Sequence, residues 1–214
     1  MSISIIHPSR NRPEMAFSVA EKWMENSSKE IKLEYFLSID SDDSQLNKYK
    51  ELFSRIKYVI LENNNNSAIE AINTAAKETE NNLIIVVSDD FDCFPNWDKW
   101  LMEKLEGKKD FIVKTSDGIQ EHLITLPIMD REYYNRFGYV YHPEYKHLFC
   151  DTEMTDVGHI LGRVIDLKDK EHQFTHRHYT AGLMEKDAIN EKNDATWNQG
   201  EELYNARKKE NFYL

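Results

Sequence analysis

A three-layer α/β fold, with helices on both faces of a central and mostly parallel sheet, is what three features of this 214-residue chain predict. Short apolar segments of strand length alternate with amphipathic helical segments up to about residue 90, which is the pattern of a parallel sheet. Leu83-Ile84-Ile85-Val86-Val87 is an unbroken run of branched apolar residues. Such a run reads as a central strand buried on both faces. Polar clusters follow three of the strand segments: His7-Pro8-Ser9-Arg10, Asp40-Ser41-Asp42-Asp43 and Asp89-Asp90-Phe91-Asp92. A parallel sheet gathers such clusters on one edge, beyond the carboxyl ends of the strands, where ligands bind.

The elements follow in order. Ser2 to Ile6 is apolar and ends at His7-Pro8, giving a first strand. Pro13 suits the first turn of a helix. Met15, Val19 and Trp23, flanked by Ala16, Ala20 and Met24, form one helical face that ends at Asn26-Ser27-Ser28. Leu33, Tyr35, Leu37 and Ile39 alternate with Glu34, Phe36 and Ser38 as a second strand. A polar helix is expected from Gln45 to Arg55, a third strand at Tyr58-Val59-Ile60-Leu61, and a loop at Asn63 to Asn66. Ser67-Ala68-Ile69-Glu70 has the form of a capping box before the face Ile69, Ile72, Ala76. Beyond the fourth strand, a helix is expected from Asn96 to Leu105, with strands at Phe111-Ile112-Val113 and His122 to Leu126. A helix from Thr152 to Leu161, a short strand at Val164-Ile165 and one polar helix from about Glu185 to Lys209 complete the list. No repeat or linker interrupts the chain. It reads as a single domain: a half with the α/β pattern of a nucleotide-binding unit at 1–95, a less regular half at 96–180 that the resemblance below makes the acceptor side, and a C-terminal helix at 181–214.

Composition narrows the function classes. Thirty-eight acids against 27 bases give a formal net charge of -11. A dedicated nucleic-acid binder usually shows a basic face, so nucleic acid is not the expected partner. Two cysteines, Cys93 and Cys150, make no disulfide framework and favour a reducing compartment. No apolar run reaches the roughly 20 residues of a membrane span. The expected location is the cytoplasm, with any membrane contact made from the surface. With 7 glycines the chain has neither G-x-G-x-x-G nor a P-loop, which argues against a dinucleotide or P-loop site.

The strand-end clusters suggest chemistry. Three carboxylates within Asp89 to Asp92 exceed what a helix cap needs, and hard oxygen ligands suit Mg²⁺ or Mn²⁺ on a substrate diphosphate. Arg10 suits a base edge or a phosphate, and Asp40 can accept from a base N–H or a ribose hydroxyl. Asp42 and Asp43 fit turn and capping roles as well. Asp151 and Glu153, at the start of a helix, are either acids favoured by the helix dipole or acid–base groups. His176 and His178 flank Arg177, and neutral imidazole can ligate a metal. Alternation places the two histidines on one face and Arg177 on the other. The aromatics Tyr133, Tyr134, Phe137, Tyr139 and Tyr141 suit either a core or a sugar-stacking surface.

An apolar strand, then Pro8-Ser9-Arg10-Asn11-Arg12-Pro13, a strand ending in Asp40, and an apolar strand ending in an acidic D-x-D-like motif together resemble family 2 glycosyltransferases of the Rossmann-like GT-A fold. The resemblance covers Ser2 to about Tyr179, and Pro95-Asn96-Trp97 fits the family's Pro-x-Trp. It implies that Pro8, Ser9, Arg10 and Asp40 bind the base and ribose, with Asn73 and Asp89 also on the nucleotide side. It places a divalent metal on Asp90 and Asp92. The functional pair is either Asp90 with Asp92 or Asp89 with Asp90, and Asp90 is the primary ligand in both. His176 or His178 would complete the metal site. Asp151 would be the general base, with Glu153 as fallback. Here Cys150 stands where the family's commoner form has Glu.

The implied activity is metal-dependent, inverting transfer of a hexosyl or hexosaminyl group. The donor would be a nucleotide-diphospho-sugar, foremost a UDP-sugar, and the acceptor hydroxyl would belong to a saccharide, a lipid-linked or another molecule. A lid is expected between Gly118 and Tyr145. The alternatives are a nucleotidyltransferase and a catalytically silent nucleotide- or sugar-binding protein on the same fold.

Overall fold

The computed structural model describes residues 2–56, 58–63 and 67–214. The chain runs β1 (Ser2–Ser9), α1 (Pro13–Glu25), β2 (Lys32–Asp40), α2 (Leu46–Phe53), β3 (Val59–Asn63), α3 (Ala68–Lys77), β4 (Leu83–Val86) and α4 (Trp97–Lys104). It continues through β5 (Ile112–Lys114), β6 (Ile128–Asp130), α5 (Arg131–Phe137), α6 (Cys150–Ile160), β7 (Val164–Asp166), α7 (Ala188–Asp194) and α8 (Trp197–Lys209). The seven strands form one sheet in the order β3-β2-β1-β4-β6-β5-β7. Only β6 runs antiparallel to its neighbours. The expected mostly parallel α/β architecture is present.

Strand periodicity sorts the side chains into the two outer layers. Ile3, Ile5, Leu83, Ile85 and Val87 pack into one core with Val19 and Trp23 of α1, Tyr49 and Phe53 of α2, and Trp97 and Leu101 of α4. Ile6, Ile84 and Val86 point the other way, into a second core with Ile69 and Ile72 of α3, Tyr133 and Tyr134 of α5, and Met154 of α6. Successive side chains of a strand face opposite sides, so one apolar run feeds both layers. The Trp97 indole donates to the Trp23 carbonyl at 3.0 Å, and Trp23 donates to the Phe91 carbonyl at 2.9 Å. Buried indoles find partners of this kind, and here they tie the segment after β4 to α1. Ser67 caps α3 by accepting from the Glu70 amide, as its pattern predicts.

Several expectations are corrected. Strand β1 continues past Ile6 to Ser9 and pairs Pro8 with Ser38 of β2. The Ile6 carbonyl accepts from Val87, so Pro8, two residues on, faces the β4 side, where the ladder has ended and no N–H is needed. Asn63 ends β3, whereas residues 64–66 of the expected Asn loop lie outside the described residues.

His122 to Leu126 is not a strand. Its backbone is committed to side chains: the Glu121 carbonyl accepts from Lys114 Nζ at 2.6 Å, and the Ile124 amide donates to Thr155 Oγ1 at 2.9 Å. The strand forms further on, at Ile128–Asp130. The region from Gly118 to Tyr145, where a lid is expected, includes β6 and α5. The expected Glu185–Lys209 helix is two helices. Asp187 caps α7 through a capping box, and Thr196 breaks the register by donating to the Asn193 carbonyl at 2.7 Å. Tyr133, Tyr134 and Tyr141 are core residues.

Candidate functional site

The carboxyl edge of the sheet carries a buried polar chain. His7 of β1 is fully buried, and its ring joins Tyr35 Oη at 2.6 Å and Asp89 Oδ1 at 2.9 Å. Asp89 also faces Arg12 Nη1 at 3.8 Å. Buried polar groups require such partners. The chain fixes the first residue of the acidic cluster.

Asp90 is buried and accepts from Ser88 and from His176, the latter with Nε2 3.3 Å from Oδ2. Burial pushes the carboxyl up, but the hydrogen bonds from His176 and Ser88 outweigh it and hold the group at about 2. The His176 ring is stacked on Phe91 at 4.3 Å, and residue 176 is bridged to Phe91 by backbone pairing. His178 lies 5.0 Å from His176, ring to ring, and accepts from the Thr180 amide. Burial and the neighbouring His176 lower its pKa. Residues 176–178 form no strand, and the Arg177 side chain reaches the Asp92 carboxylate at 3.4 Å and the Asp89 carbonyl at 3.4 Å.

Asp151 stands at the start of α6, half-buried and within electrostatic reach of His176. Burial raises its pKa, and the opposing bonds come from the amide and hydroxyl of Thr152. No cation pairs with it in the described residues. The residue before the helix, Phe149, has φ 70°, a strained left-handed turn that sets the angle at which α6 enters.

Other expected site residues are committed elsewhere. Asp92 is ion-paired with Lys22 at 2.6 Å and Arg177 at 3.4 Å, so protein cations, not the Asp90 side, balance its charge. Glu153 is buried between Arg207, which donates at 2.8 and 3.0 Å, and Tyr145 Oη at 2.9 Å. At i+2 from Asp151 on a helix it faces a different side. The Asn73 amide holds backbone, donating to the Tyr141 carbonyl at 2.7 Å and accepting from Val140 and Tyr141 amides. The Ser9 hydroxyl pairs with Tyr49 Oη at 2.7 Å. Arg10 bonds Asp40 and Asp42, the latter at 2.7 Å, which raises the guanidinium pKa and pre-orients Asp40 at the end of β2. Pro8 lies near the end of β1 and Asp40 ends β2.

Two residues at this edge escape a sequence reading. Arg12, two positions past Arg10, reads as a plain surface charge, yet its side chain is only 10% exposed. His147 lies in the aromatic- and histidine-rich stretch without a motif. It sits among Asp90, His178, Asp194 and Arg12, and burial lowers its pKa to about 4, keeping it neutral.

A divalent metal, which the sequence resemblance implies, is tested by the donor set. Asp90 offers an ionised hard oxygen opposite an imidazole nitrogen of His176, a combination suited to Mn²⁺ or Mg²⁺. Among the described residues no three His, Cys, Asp or Glu side chains form a complete metal set. An ion held by Asp90 and His176 would take its remaining positions from a substrate rather than from a dedicated all-protein cage.

The fold is shared with solved glycosyltransferases. The S. aureus TarS 1-349 structure in complex with UDP-GlcNAc superposes with TM-score 0.66 at 15% identity, over 83% of this chain and 59% of that one. The mannosyltransferase PcManGT from Pyrobaculum calidifontis, in complex with GDP-Man and Mn²⁺, gives 0.60 at 14% identity, over 84% and 59%. Glucosyl-3-phosphoglycerate synthase from Mycobacterium tuberculosis, solved with Mn²⁺, UDP and glucosyl-3-phosphoglycerate, gives 0.60 at 12% identity, over 84% and 74%. The chain thus spans less than two thirds of TarS 1-349, and 36% of the longer TarS chain. No curated protein matches it in sequence. No helix among the described residues is long and apolar enough to cross a membrane. The family model for glycosyl transferase family 2 matches residues 18–169, well over half of the sequence, and the chain belongs to that family.

Proposed function

We propose that the protein is a metal-dependent, inverting glycosyltransferase that takes a hexosyl or hexosaminyl group from a nucleotide-diphospho-sugar, foremost a UDP-sugar. The observation that carries this reading is the pairing of Asp90 with His176 beside the carboxyl edge of the sheet, with Asp151 within electrostatic reach of His176. Asp90 and His176, with His178 next to them, are the residues that would hold the divalent ion. Bound there, the ion supplies charge neutralisation to the leaving diphosphate.

Asp151 is the general base. Its carboxylate lacks a competing cation and its raised pKa strengthens it as a proton acceptor, which an alcohol nucleophile requires. A single in-line attack by that hydroxyl inverts the anomeric carbon. Asp40, oriented by Arg10, accepts from a base or ribose group, and Pro8 borders the same position. Asp89 acts through His7 and Arg12 rather than on the nucleotide. Asp92 balances Lys22 and Arg177, and Glu153 belongs to the framework.

The test is the melting temperature with UDP, GDP, CDP and ADP, each with and without Mn²⁺. A ligand bound only by the folded state raises stability by mass action. The expected result is a rise for one nucleotide that needs the metal and disappears in Asp90→Ala. No rise with any nucleotide overturns the reading. A rise without release of nucleoside diphosphate from any sugar donor would indicate a silent binding protein instead.

A further inference from the structure

Arg12 sits between β1 and α1 and is anchored to the body of the fold. Its amide donates to Tyr49 Oη at 3.0 Å, its carbonyl accepts from the Ala16 amide at 2.9 Å, and Pro13 follows it. Its side chain extends over the sheet edge. Nε and Nη2 fork onto the Asp187 carboxylate at 2.8 and 2.5 Å, while Nη1 faces Asp89 at 3.8 Å.

Asp187 comes from the opposite end of the chain. Its Oδ1 accepts from the Ile189 and Asn190 amides, and Asn190 Oδ1 accepts from the Asp187 amide, which closes the cap of α7. At the other end of this short helix, the Asp194 carboxylate accepts from Tyr179 Oη at 2.7 and 2.6 Å and from Lys186 at 2.7 Å. Asp194 also lies within electrostatic reach of His178 and His147. Segment 179–194 is therefore joined to Arg12 at one point and faces the histidines around Asp90 at another.

We propose that the Arg12–Asp187 pair is a latch that holds segment 179–194 across the crevice, which makes the two residues positioning residues for the nucleoside diphosphate of the donor. The inference rests on the proposed function for the identity of that ligand. A bidentate guanidinium–carboxylate pair has directional strength that a lysine cannot reproduce. Its arginine is held by the body and its carboxylate by the cap of α7, so the two halves are pre-oriented for each other. A segment held across the site excludes water and slows departure of the diphosphate. The guanidinium fork would also suit a phosphate. If the diphosphate displaced Asp187, removing the carboxylate would tighten binding, which is the opposite sign.

The test uses Asp187→Asn, Arg12→Lys and the double variant in the full chain. Asn caps a helix as well as Asp, so Asp187→Asn preserves α7 while removing the charged fork. UDP and GDP, each with Mn²⁺, are titrated calorimetrically, and amide hydrogen exchange is followed along the chain. Each single variant is expected to weaken nucleotide binding about tenfold, a typical coupling between linked sites. The double variant should be no weaker than Arg12→Lys alone, because Asp187→Asn removes only the fork that Arg12→Lys has already broken, whereas Arg12 also faces Asp89. Exchange should quicken across 179–194 alone, with the melting temperature of the free protein unchanged. Wild-type or tighter binding by Asp187→Asn overturns the latch, as does unchanged exchange at 179–194. If the wild type binds neither nucleotide, the proposed function fails for them, and the exchange of 179–194 still decides the latch.

Discussion

Asp151 and Asp90 are two carboxylates within electrostatic reach of His176 whose surroundings push them in opposite directions. Burial raises Asp151, whereas His176 and Ser88, acting against burial, hold Asp90 at about 2. Such divergence is what the proposed division of roles between base and permanent anion requires. For Asp151→Asn, turnover is expected to fall on the order of 10²–10⁴-fold, with nucleotide binding retained. The wild-type rate should fall as pH drops through the raised pKa of Asp151, a limb that the variant's residual activity lacks. The stability effect has a definite sign. A carboxyl raised in the fold opposes folding once pH exceeds its unfolded value, so Asp151→Asn should melt higher than wild type at pH 7 and not at pH 3. Asp90 behaves oppositely. Its contribution is complete above 3.8 and is lost as pH falls toward about 2.

At the scale of elements, α6 is held against α8 by a buried pair rather than by apolar contact alone. Glu153 and Arg207 are 6% and 11% exposed. Arg207→Met leaves a buried carboxylate without its cation and is expected to cost about 3–5 kcal/mol, read by urea unfolding. Glu153→Gln should keep most activity, in contrast to Asp151→Asn, and that difference separates framework from base. Helix α8 also approaches the segment before α6 very closely: a Cβ on Gly200 would lie 2.5 Å from the Leu148 carbonyl oxygen. Gly200→Ala must therefore shift α8 or residues 147–149. It should lower activity as well as the melting temperature, because that segment carries His147 and leads into Asp151.

Across the whole molecule, the proposed donor site draws on distant parts of the chain: β1, the end of β4, the start of α6 and residues 176–178. Nucleotide plus metal should therefore stabilise the fold globally. Saturation at 100 times Kd corresponds to about 2.7 kcal/mol, and the gain should require both components. A sugar donor of the matching nucleotide should release its nucleoside diphosphate only when Asp151 and Asp90 are both intact. With a net charge of -11, attraction to anionic acceptors must come from local cations rather than from the overall field.

Local chemistry written into the sequence determined a good deal. The five-residue apolar run at Leu83 announced a central strand, the strand-end acids announced the crevice, and Ser67 with Glu70 announced a helix start. Each is a short-range preference that any fold burying those residues must respect. Tertiary structure alone decided which partners each acid has. Asp89, Asp90 and Asp92 are near-equivalent in sequence, but only packing put His7 against the first, His176 against the second, and Lys22 with Arg177 against the third. Asp151 and Glu153 were separated in the same way by Arg207, which lies more than fifty residues along the chain. A carboxylate's role depends on its burial and its partners. Those partners come from segments remote in sequence, so no local pattern could assign them.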